Sequence, residues 1–504
     1  VADDFLRQLR DEGVLISLRT GTSSTPDEAS TWVNEDVFHR LRIRSLHAAR
    51  EATRPVPAAS YTRLLLERQG LLSPADGSPA RLPAASTGTL EGSDGVTRVI
   101  EQLAGVGLPA SLWESQILPA RVRDYSPDML DELLATGEVI WSGQKKMGDD
   151  DGRVVLHLRD YLAETLSPPT GDSEALTDLQ RAILDVLSGG GAWFAQQLST
   201  LIQTRKQGSG GDEWITPAML HEALWGLVWQ GYITTDIWAP LRGLSRTVAA
   251  SRQPSRRSPR MRRGRPAYSA PRLPSTTIPV SYTTPALAGR WSLLPREKLN
   301  DTERMLACAE NMLDRYGVIG RQAVIAENIP GGFPAMQTLC RSMEDSGRIL
   351  RGRFVEGMGG AQFAERHTID RLRDLSASNT ETQAFTAVAL SANDPASPWG
   401  SLLPWPAHPS SLVPGRRNGA FVVISAGELR LYLAQGGKKM MVWMKDEETP
   451  SPEIFRALAS ALRREPRLRF TLSEVNDKPV RQTSLFTLLR EVGFSSSPQG
   501  LDWG

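Results

Sequence analysis

The sequence predicts an α+β protein of several domains, in which tandem winged-helix modules are followed by a small antiparallel β barrel. The first observation is an order of three helices and a strand pair that recurs along the chain. That is the element order of a winged helix, whose third helix and wing commonly meet nucleic acid. The second observation is a set of short apolar strands separated by Gly turns between residues 387 and 443, a pattern typical of small barrels.

Length and composition set the broad class. The 504 residues exceed what one hydrophobic core holds, and 40% hydrophobic with 23% charged residues is the balance of a soluble globular protein. There is neither a run of about eighteen apolar residues nor a signal peptide, so we expect a cytoplasmic protein without a membrane partner. The chain opens at Val1 inside a helix-to-strand pattern, which we interpret as the back half of something longer. The net charge is only +1, so nucleic-acid contacts must come from local basic clusters.

Two segments open the third helix of their units in the same way. Ser126-Pro127-Asp128-Met129 and Thr216-Pro217-Ala218-Met219 each place a capping side chain before a Pro at the first helical turn. Each helix is followed by Gly and an apolar strand, and a third copy covers Ala335–Val355. This internal repeat predicts winged helices at residues 89–165, 173–241 and 289–365.

The remaining segments differ in composition. Residues 1–72 are expected to form a partial winged helix and a helical connector, residues 385–446 the barrel module, and residues 450–504 a C-terminal α/β module similar to a winged helix. Residues 242–288 are expected to be a flexible basic linker, because Arg242–Arg272 combines many arginines with Pro and Ser and has no acidic residue. Such a composition cannot bury a core.

Basic residues in and beside the repeats are the candidate contacts to nucleic acid. An arginine tract can tether a phosphate backbone, although a merely soluble linker is the alternative. The strand Gly347–Val355 is lined by arginine, and Gly289–Pro295 places Arg beside Trp at the start of the third unit. The residues selected as contacts are Arg290, Trp291, Arg351, Arg353, Arg256, Arg257, Arg262 and Arg263.

Motifs for nucleotide and metal chemistry are missing from the sequence. It has no Gly-x-x-x-x-Gly-Lys-Ser/Thr phosphate loop and no Asp-Glu-x-His/Asp magnesium motif after a strand, so we do not expect this segment to be an ATPase by itself. Six histidines have no paired spacing, and Cys308 and Cys340 fit small buried residues of amphipathic helices. Asp149-Asp150-Asp151-Gly152 fits a solvated turn better than a calcium loop. We therefore expect no metal and no cofactor.

Two carboxylates are candidates for catalysis. Asp502 lies between Leu501 and Trp503, where an aromatic neighbour could stack a base while the carboxylate activates water. Asp394 follows a predicted barrel strand and precedes Pro395. A structural role is the alternative for both residues, and for Asp394 that role is the capping of a turn before Pro.

Several segments, spread over nearly the whole chain, carry a resemblance to a known family. They are Arg44-Ser45-Leu46, Leu118-Pro119-Ala120-Arg121-Val122-Arg123-Asp124-Tyr125, Leu130-Asp131-Glu132-Leu133 with Gly137-Glu138-Val139, Gly289-Arg290-Trp291-Ser292-Leu293-Leu294, Arg315-Tyr316-Gly317-Val318 and Gly352-Arg353-Phe354-Val355. In this order they resemble the C-terminal half of the Lhr (long-helicase-related) bacterial DNA helicases.

The resemblance implies more than the residues indicate by themselves. The family's motor is a superfamily 2, ATP-driven, 3′-to-5′ single-strand translocase of DNA repair, and this chain is expected to lack it. The C-terminal half of the family is similar to winged-helix bacterial DNA glycosylases that act on bulky or crosslinked bases, and glycosylase action is linked to this half. Those glycosylases use a Gln-x-Gln or Gln-x-Asp motif, which this sequence lacks, since Gln196-Gln197 has the wrong spacing.

Two hypotheses about function follow, both with a helicase motor in cis. The first is a nucleic-acid-binding and oligomerisation region of a DNA-repair 3′-to-5′ helicase, which binds single-stranded or duplex DNA or an RNA:DNA hybrid. Large apolar faces favour a homo-oligomer, with a tetramer expected. The tryptophans of these faces are Trp113, Trp141, Trp193, Trp225, Trp229 and Trp238. The alternative is a metal-independent DNA glycosylase that acts on uracil or on bulky or crosslinked bases. A sequence-reading transcription factor is disfavoured, because no base-reading set of Arg and Asn is found.

Overall fold

The computed structural model describes residues 5–6, 8–9, 14–18, 31–51, 54–72, 88–148, 151–171, 175–208, 214–244, 281–297, 299–377, 386–407, 410–444 and 450–504. Three winged-helix units and a larger C-terminal sheet occupy most of these ranges, and the predicted α+β class is confirmed. No helix in these ranges is long and apolar enough to cross a membrane.

A hairpin and two helices precede the first unit. Strands β1 (Leu15–Leu18) and β2 (Thr31–Asn34) pair antiparallel, and helix α1 (Glu35–Glu51) follows directly. Helix α2 (Ala58–Arg68) buries Leu64 and its neighbours in a core that it shares with the third unit and the C-terminal sheet. This helix is therefore integrated with parts of the chain that come hundreds of residues later.

The first winged helix has the element order that its repeat predicts. The elements are β3 (Leu90–Glu91), α3 (Gly92–Gln102), β4 (Leu108–Pro109), α4 (Ala110–Leu112), a π turn (Trp113–Ile117), α5 (Leu118–Arg121), β5 (Val122–Arg123), α6 (Pro127–Thr136), β6 (Val139–Met147) and β7 (Asp151–Leu158). Helix α6 follows Ser126 and ends before Gly137, whose φ of 78° costs a glycine little. Strands β6 and β7 form the wing, in a sheet ordered β4-β7-β6.

The second winged helix closes its sheet with a strand from beyond the basic segment. After the short helix α7 (Leu162–Thr165), its elements are α8 (Asp178–Ser188), β8 (Trp193–Phe194), α9 (Ala195–Gly208), α10 (Pro217–Trp229), β9 (Ile233–Thr235) and β10 (Arg290–Leu293). The sheet order is β8-β10-β9, with Trp291 opposite both Trp193 and Thr235.

The position of β10 corrects one expectation from the sequence. The segment that begins at Gly289 is predicted to open the third unit, but it supplies the central strand of the second unit. The physical reason is the burial of Trp291, whose ring meets the ring of Trp225 edge-on at a centroid distance of 6.1 Å. The basic segment is thus an insertion between the two wing strands β9 and β10. The other predicted domain boundaries stay predictions.

The third winged helix follows the predicted order of three helices and a basic strand. Its elements are α11 (Asp301–Tyr316), β11 (Val318–Ile319), α12 (Arg321–Ala326), α13 (Gly332–Asp345), β12 (Leu350–Gly352) and β13 (Gln362–Ala364). Asn300 and Glu303 form a reciprocal capping box at the start of α11. The sheet order is β11-β13-β12, and the loop between β12 and β13 is the wing.

The C-terminal region is an open sheet covered by helices. After α14 (Arg366–Ala377), its elements are β14 (Ala387–Ser391), β15 (Phe421–Ser425), β16 (Glu428–Leu433), β17 (Lys439–Val442), α15 (Pro452–Arg463), β18 (Phe470–Leu472), β19 (Glu474–Val475), β20 (Lys478–Pro479), α16 (Leu485–Glu491), β21 (Ser495–Ser497) and β22 (Gly500–Trp503). Six strands form one sheet in the order β14-β15-β16-β17-β19-β20, and β18-β22-β21 form a second. The edge strands β14 and β20 do not pair with each other within the described residues, so a closed barrel is not confirmed.

Three large hydrophobic cores and one small cluster hold these units together. One core is shared by the first two winged helices, a second by α2, the third winged helix and one face of the six-stranded sheet, and a third lies on the other face of that sheet. Among the tryptophans expected to favour self-association, Trp113, Trp141, Trp225 and Trp238 are at most 4% exposed. The others, Trp193 and Trp229, pack against the first core. Four of these six side chains therefore belong to the interior, and Trp193 and Trp229 are partly buried at its margin.

Candidate nucleic-acid interface and catalytic carboxylates

The wing of the first unit displays positive charge near its turn. Lys145 lies opposite Arg153 in the β6–β7 hairpin, and both residues are exposed, as is Lys146. One aspartate of the acidic run beside them already has partners. Asp151 accepts hydrogen bonds from the hydroxyl and backbone N–H of Ser111 at 2.6 and 3.3 Å. Asp149 and Asp150 lie outside the described residues. This wing tip therefore combines accessible cations with an aspartate that is already engaged.

The wing of the third unit carries two of the selected arginines. Arg353 is exposed and Arg351 is half-buried, and neither guanidinium has a hydrogen bond or ion pair with the described part of the chain. Gln362 holds the loop beside them. Its buried amide accepts from the backbone N–H groups of Phe354 and Val355 and donates to the carbonyls of Val355 and Met358, at 2.7 to 3.1 Å. The wing is therefore a loop held in place by Gln362, and its two arginines have no hydrogen-bond or ion-pair partner within the described residues.

Arg290 and Trp291 have different surroundings although they are neighbours in β10. The Arg290 side chain is 54% exposed, and its Nε donates to Asp236 at 2.6 Å. The Trp291 side chain points to the opposite side of the strand and is fully buried. The sequence predicts Trp291 as a nucleic-acid contact, but its indole fills the core of the second unit and is not available to stack a base in this fold.

The basic insertion begins at Arg242, shortly after strand β9. Arg256, Arg257, Arg262 and Arg263 lie outside the described residues. Arg242, at the start of the tract, is described: it donates to both oxygens of Glu114 and both oxygens of Asp131, at 2.7 to 3.0 Å. Arg242 therefore anchors the root of the insertion to the first winged helix and is not a free phosphate contact.

Asp394 is the acid of a buried ion pair. The side chains of Arg121 and Asp394 are 0% and 1% exposed, and two hydrogen bonds of 2.7 and 2.8 Å join them. The backbone N–H of Ala396 and the amide of Gln69 complete the network at 2.8 and 2.7 Å. The second catalytic candidate is thus enclosed by protein partners, and a substrate could reach it only if this junction opened.

Asp502 occupies a different environment, on the central strand of the small C-terminal sheet. Strand alternation points its side chain away from Leu501 and Trp503, which are buried in the third core. The carboxylate is half-buried. Its Oδ1 accepts hydrogen bonds from the hydroxyls of Thr471 at 2.7 Å and Ser497 at 2.9 Å. The adjacent Trp503 therefore cannot stack a base over this carboxylate, contrary to the sequence-based expectation.

The face around Asp502 is polar and has basic residues at its margins. Thr471 and Ser495 are the register partners of Asp502 on either side. Arg481 donates to the carbonyl of Ser497, and Arg469 donates to the carbonyl of Leu468. Both arginines are exposed. The arrangement offers one carboxylate for proton transfer on a hydroxyl-rich face, and Arg481 contacts Ser497, one of the two residues that bind this carboxylate.

Two cavities in the described part of the chain are lined by residues other than Asp502. One, of about 190 Å³, is lined by Arg456, Arg463, Glu491 and their neighbours, and Arg463 stacks over Trp503 on the opposite side of the sheet. The other, of about 370 Å³, lies between the second and third units beside Pro168 and Pro295. Asp502 lies on a face of the β18-β22-β21 sheet and lines neither of these two cavities.

Thiol and imidazole groups are placed as structural residues. Cys340 is fully buried, and burial raises its pKa to about 12. His157 is also fully buried and bridges the hydroxyls of Ser142 and Thr165 at 2.8 and 2.7 Å. Within the described residues no group of three or more His, Cys, Asp or Glu is arranged to hold a metal ion.

Sequence reasoning missed the residues that join the units. Arg121 and Arg315 both lie in segments that carry the family resemblance, yet they were not singled out. Arg315 is fully buried, pairs with Glu327, and donates to the carbonyls of Gln102 and Ala104 at 3.1 and 2.6 Å. A lone arginine in a helix has no local signal for such a role, because its partners are far away in sequence.

Comparison with known proteins identifies two of the units. Residues 56–159 and 298–384 each match a winged-helix domain of the large helicase-related protein. The Escherichia coli (strain K12) protein "Lhr helicase/uracil glycosylase" is 66% identical over 504 residues, which are 100% of this chain and 32% of that protein. The Mycolicibacterium smegmatis (strain ATCC 700084 / mc(2)155) protein "Lhr helicase/ probable uracil glycosylase" is 39% identical over 467 residues, 92% of this chain and 28% of that protein.

These matches confirm the resemblance that the sequence indicates. The chain spans about a third of the length of these relatives, at 32% and 28%. Among solved structures, the Streptomyces sahachiroi DNA glycosylase AlkZ matches 84% of this chain and 100% of its own, with a TM-score of 0.43 and 13% sequence identity.

Proposed function

We propose, from its large helicase-related winged-helix domains, that this chain is the nucleic-acid-binding and oligomerisation region of a cytoplasmic DNA-repair 3′-to-5′ helicase whose motor is joined in cis. The observation that carries the proposal is the chemistry of the wings. On the third wing, Arg351 and Arg353 have no hydrogen-bond or ion-pair partner within the described residues. On the first wing, Lys145 and Arg153 are exposed. The arginine tract is inserted between the two strands of the second wing.

Wings suit this task because phosphate contacts position a nucleic acid without reading its sequence. Each cation that neutralises a phosphate releases counterions, so affinity falls steeply with salt. The candidate ligands are single-stranded DNA, duplex DNA and an RNA:DNA hybrid. A net charge of only +1 means that the attraction comes from these local clusters.

The test is a titration of labelled oligonucleotides of the three types, followed by fluorescence anisotropy at several salt concentrations. The variant Arg351→Ala/Arg353→Ala is expected to weaken binding to every sequence alike and to lower the salt slope by about 1 to 2. Arg181→Ala is the matched control, because Arg181 is an exposed arginine on α8 that pairs with Asp178. Equal binding by the wild type, the double variant and the control would contradict the role of the third wing.

Self-association is the second part of the proposal, with a tetramer favoured. The exposed apolar residues Val37, Leu41 and Ile43 of α1 are better candidates for contact between chains than the buried tryptophans. Sedimentation at micromolar concentration is the measurement. A monomer at that concentration would remove oligomerisation from the proposal and leave nucleic-acid binding untouched.

A second candidate function is metal-independent excision of uracil or of bulky or crosslinked bases. Two observations favour it: the name of the 66% identical relative includes uracil glycosylase, and Asp502 is an accessible carboxylate. In this reaction, water attacks C1′ of the nucleotide while Asp502 accepts a proton from the water. The C1′–N bond breaks, its electron pair leaves with the base, and the base then takes up a proton. The products are a free base and an abasic sugar.

Alkali cleavage of uracil-containing and crosslinked oligonucleotides tests this candidate. Asp502→Ala is expected to abolish the formation of abasic sites while binding persists. Asp160→Ala, at an exposed aspartate of the first unit, is the control and should keep full activity. Cleavage by Asp502→Ala at the wild-type rate would exclude Asp502 as the catalytic group, and no cleavage by the wild type would leave binding as the function of this chain.

A further inference from the structure

We propose that the hydroxyls of Thr471 and Ser497 are positioning groups that hold one oxygen of Asp502, so that its other oxygen activates the attacking water. This inference rests on the second candidate function above. The two hydroxyls approach the same atom, Oδ1, from the two flanking strands, at 2.7 and 2.9 Å. A carboxylate only accepts, so both hydroxyls donate.

The other oxygen is left for chemistry. Oδ2 accepts no hydrogen bond from the part of the chain that the structure describes. Two donors on Oδ1 restrict the rotation of the carboxylate, and pairing on both sides of β22 holds the backbone of Asp502. A proton acceptor that is fixed in this way loses little orientational freedom when the water and the sugar arrive.

The strand that carries Asp502 also contains a glycine, Gly500, at a close approach to the neighbouring strand β18. In the pairing of β21 with β22, Ser495 lies opposite Asp502, while Ser497 lies opposite Gly500. A Cβ at residue 500 would collide with the carbonyl oxygen of Leu472, so only glycine fits there. The hydroxyl of Ser497 reaches Asp502 diagonally across the strand pair, since the register partner of Ser497 is Gly500.

Ser495 provides an internal comparison. Its hydroxyl donates to the backbone carbonyl of Asp502 at 3.4 Å and not to the carboxylate. Ser495 and Ser497 therefore share a strand and a residue type, but only Ser497 contacts the group that would accept the proton. A structural role of surface hydroxyls predicts similar effects at both serines, whereas positioning predicts an effect at Ser497 alone.

The step that these hydroxyls serve is the transfer of one proton. A water molecule forms the new O–C1′ bond, its proton moves to Oδ2 of Asp502, and the C1′–N bond breaks with its electron pair on the departing base. The proton on Oδ2 then returns to solvent or to the base, which restores the carboxylate. Thr471 and Ser497 contact neither the water nor the sugar in this scheme.

The experiment measures kcat and KM for base release from a uracil-containing oligonucleotide. Thr471→Val keeps the side-chain shape without the donor, and Ser497→Ala removes the second donor. We expect kcat to fall roughly 10-fold in each single variant and roughly 100-fold in the double variant, with KM unchanged. Thr471→Ser, which restores a donor, should recover most of kcat, and Ser495→Ala should match the wild type.

The outcomes separate this inference from the function on which it depends. An inactive wild type, or a wild type whose activity survives Asp502→Ala, would reject the candidate function itself. An active, Asp502-dependent wild type with unchanged kcat in Thr471→Val and Ser497→Ala would overturn the positioning role alone. So would a loss in Thr471→Val that Thr471→Ser fails to restore, or an equal loss in Ser495→Ala. Circular dichroism of each variant checks that the fold is retained.

Discussion

Replacement of Asp394 by asparagine separates a structural carboxylate from a catalytic one. In the folded chain, Arg121 donates two hydrogen bonds to Asp394 in an environment where both side chains are at most 1% exposed. Asparagine keeps one acceptor oxygen and nearly the same shape, but it has no charge. The variant therefore leaves Arg121 as a buried cation without its counterion.

The size of the effect follows from what remains around Arg121. Breaking a buried ion pair by removing one partner costs about 3–5 kcal/mol. Gln69 at 2.7 Å and the carbonyl of Ile117 at 3.3 Å still accept hydrogen bonds from the guanidinium, so the lower end of that range applies. We expect Asp394→Asn to destabilise the junction by about 3 kcal/mol.

Urea unfolding followed by tryptophan fluorescence is the assay, since the chain has 13 tryptophans. A chain of several units need not unfold in one step, so the midpoint of the transition that reports the junction is compared between variants. Arg121→Leu/Asp394→Leu should regain much of the lost stability, because it removes both charges. Wild-type stability in Asp394→Asn, together with a loss of base excision, would refute this reasoning and return Asp394 to the catalytic candidates.

Two further predictions concern buried polar groups. Burial, and secondarily the charge of Arg296, lower the pKa of His157 from its ordinary value of 6.5 to about 3. As the pH falls, the unfolded chain therefore takes up a proton at this histidine before the folded chain does. The free energy of unfolding should decrease as the pH falls from 6.5 towards 3, by up to about 1.4 kcal/mol per pH unit. A pH series of unfolding midpoints checks this, and an equally steep loss in His157→Gln would contradict it. Gln362→Ala removes four hydrogen bonds from the third wing and should lower the free energy of unfolding by about 3–4 kcal/mol. The measurement is hydrogen exchange at the backbone N–H groups of Phe354 and Val355. Unchanged protection there would show that the wing does not depend on the Gln362 amide.

The winged-helix order could be predicted because its signals are local. Pro127 at the first turn of α6 and Gly137 after its last turn are read directly from neighbouring residues, although the predicted capping hydrogen bond of Ser126 is not formed. The course of β10 could not be predicted in this way, because its partner β9 lies on the far side of a long insertion. Strand pairing across such a distance depends on the tertiary core around Trp291, and no pattern within the strand records it.

The same distinction explains the outcome at the two carboxylates. Asp394 and Arg121 are 273 positions apart, and neither residue has a neighbour in sequence that indicates a buried ion pair. The position of Asp502 beside Trp503 in the sequence predicts base stacking next to the carboxylate, and this prediction is wrong because strand alternation directs the two side chains to opposite faces. The hydroxyl partners of Asp502 come from other strands and become visible only in the folded sheet.

Two of the segments that carry the family resemblance contain a buried arginine at a junction between units. Arg121 joins the first winged helix to the C-terminal sheet through Asp394, and Arg315 joins the third winged helix to the carbonyls at the end of α3. Buried arginines of this kind fix the relative orientation of the units that they connect. The nucleic-acid binding proposed for the wings would then depend on these arginines through the orientation of the units. These two arginines therefore belong to the framework that positions the wings and the Asp502 face. Binding by the wings and catalysis at Asp502 have to be tested by substituting the residues of those surfaces.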